Sequence, residues 1–187
     1  MNKTAAMIAL ACLLGLGACK EKKTTDDIIV SRQETPKPQA PIRMQEYRQT
    51  TDVDWKGAKY HVEIVRTPVD SLPMVKDEIG QQYIDNRILV VVTRPDSTVF
   101  FRKSFSKSSF APYLDDDYRK TGILEAMIFE QVADGRLEFA VSVAHPQSED
   151  EFIPLTMKVE QDGSVTIKRD ENMDTFGNEQ DSEDDGV

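Results

Sequence analysis

The sequence is poor in the residues that most often carry redox and metal chemistry. Its 187 residues include two cysteines, two histidines and one tryptophan. Nine glycines and nine prolines exclude a collagen-like repeat, and two cysteines are too few for a disulfide-rich scaffold. No apolar run reaches the roughly 18 residues that a membrane-spanning helix needs. The length therefore predicts one domain, with tails.

Positive charge is also scarce. Lysine and arginine total 23 against 33 acidic residues, which gives a formal net charge of -10. Nonspecific binding to DNA or RNA depends on basic side chains that neutralise phosphates. We therefore expect no nucleic-acid partner.

The first 18 residues have the pattern of a signal peptide, with a charged start at Lys3 and an apolar stretch from Ala5 to Leu16. This segment is excluded from the fold. Its last three residues and the residue that follows them read Leu16-Gly17-Ala18-Cys19, which resembles the lipobox of bacterial lipoproteins. An ordinary secretory signal or a short membrane helix that happens to end in these residues is the alternative.

The lipobox resemblance implies cleavage before Cys19, a diacylglycerol on its sulfur and an acyl group on its new amine. Several acyl chains give a lasting anchor, whereas a single chain binds membranes only marginally. Cys12 would leave with the signal peptide, so the mature domain would have no disulfide and no thiol nucleophile. The implied location is the cell envelope, with the outer membrane as the expected site and its periplasmic or surface face left open.

Residues 19–44 and 171–187 flank the expected domain. The first segment is rich in charge and contains Pro36, Pro38 and Pro41, which predicts a flexible tether. The second contains acidic residues and neither lysine nor arginine, which predicts a disordered acidic tail. We expect a solubilising role for this tail; the alternative is the weak capture of cations or of a basic partner.

Residues 45–170 have the two-residue period of β-strands. Apolar residues alternate with polar ones from Lys59 to Ile64, and the run from Ile88 to Val92 predicts a central strand. Asp162-Gly163 predicts a tight hairpin. The pattern indicates a mainly β fold with little helix: a single antiparallel β-sandwich or partly open barrel of about 7–8 strands.

One segment, residues 123–133, is ambiguous. Its composition favours a helix, but it meets the strong strand pattern of residues 136–145 across Asp134-Gly135. A two-residue turn of this type joins antiparallel strands. We therefore predict a strand.

Patterns of nucleophilic catalysis are absent from the sequence, which has no Gly-x-Ser-x-Gly elbow and no Ser-x-x-Lys arrangement. Strand alternation points His61 towards solvent. His145 ends a strand and precedes Pro146, so it is the better candidate for the rim of a binding pocket. A structural role for His145 is the alternative.

Three consecutive aspartates, at positions 115–117, form a group of hard oxygen ligands. Asp115 and Asp117 are therefore weak candidates for a ligand site, but the run lacks the spacing of a calcium loop. The alternative is the capped start of a helix. Two histidines and no structural cysteine give almost no signal for zinc, so we expect no cofactor.

Two further groups of side chains are candidates for a site. Asp77, Glu78 and Asp85 could supply paired carboxylates, but acids in loops are ordinarily solvated surface. Phe101 and Arg102 lie in a stretch that mixes cations with aromatic rings, as in a platform for a sugar or a lipid head group. The alternative is a packed strand.

The lipobox, the tether and core segments such as Asp77-Glu78-Ile79-Gly80 and Tyr83-Ile84-Asp85-Asn86 resemble small Bacteroidetes lipoproteins grouped as domains of unknown function. Such a family implies no catalytic residues. We expect a lipid-anchored, noncatalytic envelope lipoprotein that binds an envelope protein, a glycan or a lipid. The alternatives are an envelope hydrolase that uses His145 and loop carboxylates, and a structural or assembly lipoprotein.

Overall fold

The computed structural model describes residues 40–146, 148 and 150–170. The predicted signal peptide, the lipidation site at Cys19, the tether as far as residue 39 and the acidic tail at 171–187 lie outside these residues, and they stay predictions. Within the described part, no helix is long and apolar enough to cross a bilayer.

Eleven strands and two short helices make up the described chain. The strands are β1 (Ile42–Arg43), β2 (Tyr47–Trp55), β3 (Ala58–Pro68), β4 (Val75–Lys76), β5 (Gln82–Ile84), β6 (Asn86–Thr93), β7 (Val99–Ser106), β8 (Ile123–Ala133), β9 (Arg136–Ala144), β10 (Phe152–Val159) and β11 (Val165–Arg169). A 3-10 helix, η1 (Lys107–Tyr113), and the α-helix α1 (Asp116–Thr121) connect β7 to β8.

Eight of these strands form two four-stranded antiparallel sheets, in the orders β2-β3-β6-β7 and β11-β10-β9-β8. Their inward-facing side chains form one apolar cluster. Ile64 and Val90 of the first sheet and Leu137 and Phe139 of the second belong to it and are almost fully buried. Neither sheet closes on itself within the described residues. The mainly β, sandwich-like prediction is confirmed.

The hairpin turns follow the local sequence. Lys56 and Gly57 have φ angles of 54° and 74°, and Asp134 and Gly135 have 52° and 74°. Positive φ at both central residues matches the right-handed twist of the strands that a two-residue turn joins. β8 therefore pairs with β9 through Asp134-Gly135, and the strand prediction for residues 123–133 is confirmed.

One charged group is buried within the second sheet. Glu138 is only 6% exposed. Its Oε1 accepts a hydrogen bond from Lys158 Nζ, and its Oε2 accepts one from Gln131 Nε2 at 3.0 Å. Burial raises the pKa of Glu138, but these hydrogen bonds together with the charges of Lys158 and Arg136 outweigh it and leave the pKa below its ordinary value. The interior of the protein therefore tolerates this carboxylate because it is paired with Lys158 and Gln131.

A third, small sheet has the order β1-β5-β4. β1, at the end of the segment predicted as a tether, pairs in parallel with β5, and β4 pairs with β5 antiparallel. Val75, Tyr83 and Ile123 form a second apolar cluster, against which Met44 packs. This small sheet places the loop after β4 beside α1 and the end of β9.

Candidate functional site

A cleft of about 510 Å³ opens where the end of β9, helix α1 and the loop after β4 meet. Its lining residues are Asp77, Glu78, Ile79, Asp117, Thr121, His145, Pro146, Ser148 and Glu151. We call it the His145 cleft. Its volume lies within the range of small-molecule sites in proteins.

His145 is the one imidazole among the lining residues. Its Nε2 lies 3.2 Å from Asp117 Oδ2, and its side chain is 23% exposed. The ring of Tyr118 meets the imidazole edge to face, with centroids 4.2 Å apart. The backbone N–H of His145 donates to the carbonyl of Glu151 at 3.1 Å, which closes the loop that follows β9. The imidazole is therefore held in place on several sides.

Asp77 shapes the opposite wall of the cleft. Its Oδ1 accepts the backbone N–H groups of Ile79 at 3.1 Å and Gln81 at 2.9 Å, and its Oδ2 accepts the hydroxyl of Tyr83 at 2.9 Å. Side-chain acceptance of nearby backbone N–H groups stabilises tight turns. Asp77 thus holds the loop, while Glu78 stays exposed.

The cleft has a negative potential. Four carboxylates line it, at Asp77, Glu78, Asp117 and Glu151, and no lysine or arginine is among its described lining residues. Burial raises the pKa of the Tyr118 hydroxyl, and the charges of Glu151 and Asp117 raise it further. A phenol is harder to ionise where the surrounding field is negative. The cleft is therefore suited to a ligand with positive charge.

The structure brings together two of the predicted site residues, His145 and Asp117. Asp115 faces elsewhere, with its Oδ2 3.3 Å from Arg169 Nη1. Phe101 is 7% exposed and belongs to the core, so the predicted aromatic and cationic platform is wrong for this residue. Arg102 is exposed on β7, outside the His145 cleft.

The aspartate run at 115–117 begins helix α1, as its helical interpretation predicted. Asp115 occupies the N-cap position, but its side chain makes no capping hydrogen bond. Asp116 and Asp117 lie in the first turn, where negative charge is favourable. Among the residues that the structure describes, there is no group of three histidine, cysteine or acidic side chains close enough together to hold a metal ion.

Asp85 contradicts the expectation that it is solvated surface. It is 4% exposed, and its Oδ1 accepts the backbone N–H groups of Asn86 at 2.8 Å and Leu124 at 2.9 Å. Burial raises its pKa, although these hydrogen bonds and the charge of Lys107 act in the opposite direction. Its apolar neighbours Ile84 and Ile88 were the signal in the sequence for this burial. Sequence reasoning also missed Glu151 in the cleft, although it ends an acidic run, Glu149-Asp150-Glu151, shortly after His145.

Comparison with known proteins gives one family. The family model described as a domain of unknown function, DUF4738, matches residues 26–167. No curated protein matches the chain.

Proposed function

We propose that this chain, which belongs to the DUF4738 family of unknown function, is a lipid-anchored cell-envelope protein whose β-domain binds a cationic ligand in the His145 cleft. The role is binding without catalysis. The proposal has two parts, an anchor and a binding site, and each has its own test.

The observation that carries the binding site is the convergence of four carboxylates on a concave surface beside His145. Complementary charge favours encounter and orientation of a ligand of opposite sign. The expected ligands carry several positive charges, as a lysine-rich peptide segment of an envelope protein does. A cleft of about 510 Å³ has room for several side chains of such a peptide.

The anchor rests on Leu16-Gly17-Ala18-Cys19. In a bacterial host that processes lipoproteins, an alkyne fatty acid should label the wild-type chain, and the chain should fractionate with the outer membrane. Cys19→Ser should lose the label. Cys12→Ser should keep it, because that residue lies in the predicted signal peptide. An unlabelled wild-type chain would refute the anchor.

The binding site can be tested by calorimetry on the full chain in detergent, with tetralysine as the probe. A triple variant, Glu78→Gln, Asp117→Asn and Glu151→Gln, should weaken tetralysine binding by about tenfold or more, since it removes three charges from the cleft. A matched triple variant, Glu46→Gln, Asp54→Asn and Glu130→Gln, removes three exposed charges elsewhere.

The matched triple variant should retain binding within about twofold at the ionic strength of the cell, because distant surface charges are screened. Equal losses in the two triple variants would mean that tetralysine responds to net charge alone. That result, or no binding by the wild type, would overturn the binding site.

A second candidate function, hydrolysis, is favoured by one observation, the 3.2 Å approach of His145 Nε2 to Asp117 Oδ2. A carboxylate beside a histidine can orient the imidazole as a general base for a water molecule. If the chain hydrolyses an ester such as p-nitrophenyl acetate, His145→Ala should abolish the activity. Full activity in this variant would eliminate that mechanism.

A further inference from the structure

A second pocket, of about 290 Å³, lies on the other side of α1 from the His145 cleft. Asp117 and Thr121 line the cleft, whereas Arg119 and Lys120 of the same helix line this pocket. We call it the Asp85 pocket. Its volume is at the lower end of ligand sites, so it suits a small ligand.

The walls of the Asp85 pocket are apolar on one side. Leu72, Met74 and Val75 come from the segment that leads into β4, and Leu114 follows η1. Val75 and Leu114 are each 2% exposed, so this wall is anchored in the packed interior. Such a surface favours an aliphatic or thioether group on the ligand.

The buried carboxylate of Asp85 also lines the pocket. Both hydrogen bonds that it accepts, from the backbone of Asn86 and Leu124, go to Oδ1. Its Oδ2 accepts none from the described residues. An ionised carboxylate that is buried with an unused oxygen is stabilised by a cationic donor.

Three cations surround the same space, at Lys107, Arg119 and Lys120. Lys107 Nζ donates one hydrogen bond, to the carbonyl of Gly122 at 2.6 Å, and an ammonium has three donors. Lys120 makes no hydrogen bond or salt bridge with the described residues. Burial lowers the pKa of Lys107 and the charge of Asp85 opposes this, so the ammonium is poorly solvated. Arg119 already pairs with Asp116 at 3.2 Å, so an anionic group would stabilise mainly Lys107 and Lys120.

We propose that the Asp85 pocket binds a small apolar α-amino acid as its zwitterion. The ammonium pairs with Asp85, the carboxylate pairs with Lys107 and Lys120, and the side chain lies against Leu72 and Val75. This proposal does not rest on the cationic ligand proposed for the His145 cleft.

Charge of both signs selects this class of ligand over simpler ones. A simple carboxylate would satisfy the cations but would face the Asp85 oxygen with nothing to donate to it. A simple amine would satisfy Asp85 but would approach three cations. A zwitterion meets both demands, and its two charges are separated by a single carbon atom, as the compact pocket requires.

Calorimetry on the full chain can test the proposal with three matched probes: L-leucine, 4-methylpentanoate, which lacks the amine, and 3-methylbutylamine, which lacks the carboxylate. L-leucine should bind at least about tenfold more tightly than either analogue. Equal binding of 4-methylpentanoate would show a simple anion pocket and would overturn the proposal. So would a failure of L-leucine, L-methionine and L-phenylalanine to bind at about 10 mM.

Variants assign the two charges. Asp85→Asn keeps an oxygen that can accept the two backbone hydrogen bonds, and it should abolish the preference for L-leucine over 4-methylpentanoate. Lys107→Met should weaken the binding of L-leucine by about tenfold. Where Lys107→Met fails to fold, Lys120→Met, at an exposed side chain, should show the same direction of change.

Lys168→Met is the matched control, since Lys168 is exposed on β11 and lies outside the pocket. It should leave the affinity for L-leucine unchanged. An equal loss of affinity in Lys168→Met and Lys120→Met would contradict the assignment of the carboxylate to the pocket cations. An unchanged L-leucine preference in Asp85→Asn would contradict the assignment of the ammonium.

Discussion

His145 Nε2 lies 3.2 Å from Asp117 Oδ2. This contact joins the start of the loop that follows strand β9 to the first turn of helix α1. Tyr118, the next residue of the helix, packs edge to face on the same imidazole. The helix is only six residues long, so its position depends on contacts with the sheet rather than on its own stability. Because α1 separates the His145 cleft from the Asp85 pocket, its seating controls both sites.

Gly122, directly after α1, should tolerate no larger residue. A Cβ at this position would lie 2.7 Å from the backbone oxygen of Tyr118 and 3.0 Å from Val143 Cγ1. Gly122→Ala must therefore displace α1 or β9, and we expect a loss of roughly 1–3 kcal/mol in the free energy of unfolding. Urea unfolding measures this loss, and binding of tetralysine and L-leucine should weaken together.

The control for Gly122→Ala is Ser104→Thr, which adds one methyl group at an exposed position of β7. It should change the free energy of unfolding by less than about 0.5 kcal/mol. Wild-type stability in Gly122→Ala would show that the helix moves at no cost, contrary to the packing argument.

Lys158→Met should destabilise the protein because it leaves the buried Glu138 without its cation. The expected loss is about 1.5–3 kcal/mol at pH 7. The pKa of Glu138 is lowered in the fold, so its contribution is present above the ordinary value of 4.5 and is lost as pH falls through the folded pKa. The gap between wild type and variant should therefore shrink in acid, as urea unfolding across pH can measure.

The double variant Glu138→Gln with Lys158→Met provides the control. It should be more stable than Lys158→Met alone at pH 7, because it contains no uncompensated buried charge. If it is no more stable than Lys158→Met alone, the loss in Lys158→Met does not arise from an uncompensated carboxylate, which would contradict the prediction.

Tyr83 should make the protein sensitive to alkali. Burial, with a further contribution from the hydrogen bond to Asp77, raises the pKa of Tyr83 from 10.0 to about 12. A raised folded pKa stabilises the fold fully below the unfolded value, and this contribution is lost as pH rises from about 10 to about 12. Tyr83→Phe should show a shallower decline of stability over that range, measured by urea unfolding.

Tyr83→Phe should also be slightly less stable than the wild type at neutral pH, by about 1 kcal/mol, because Asp77 loses the hydroxyl donor of Tyr83. A tyrosine resonance that titrates near pH 12 in the wild type should be missing from Tyr83→Phe in carbon-13 NMR spectra. An identical alkaline decline in the two proteins would contradict the prediction.

Asp85→Asn should gain stability relative to the wild type as pH rises. The pKa of Asp85 is raised above 3.8 in the fold, so ionising this group costs stability between 3.8 and its folded pKa. The difference in free energy of unfolding, variant minus wild type, should therefore increase over that interval. Asp54→Asn, at an exposed site, should show no such trend. A difference that stays constant with pH would contradict the prediction.

Much of the fold could be predicted because its strands pair with near neighbours through local turns. Asp134-Gly135 and Asp162-Gly163 mark two hairpins, and both form. The run from Ile88 to Val92 lies on β6, between β3 and β7. In each case the side-chain alternation and the turn residues belong to one short segment of chain, so the sequence contains the whole signal.

The short sheet β1-β5-β4 was not predicted. Its strands are two or three residues long, too short to have a period, and β1 pairs in parallel with a distant segment. Parallel pairing leaves no turn signal in the sequence. This sheet places Asp77 opposite His145, and so half of the cleft depends on a feature that has no local signature.

Local sequence accounts for the antiparallel strands, the acidic start of α1 and the position of His145 at a strand end, because each follows from neighbouring residues. Tertiary structure alone decided that Asp117 meets His145, that Asp85 is buried beside Lys107 and that Phe101 faces the core instead of a ligand. Charges and burial at these places arise from residues that are distant in the chain. Their electrostatic fields and packing exist only once the sheets have assembled.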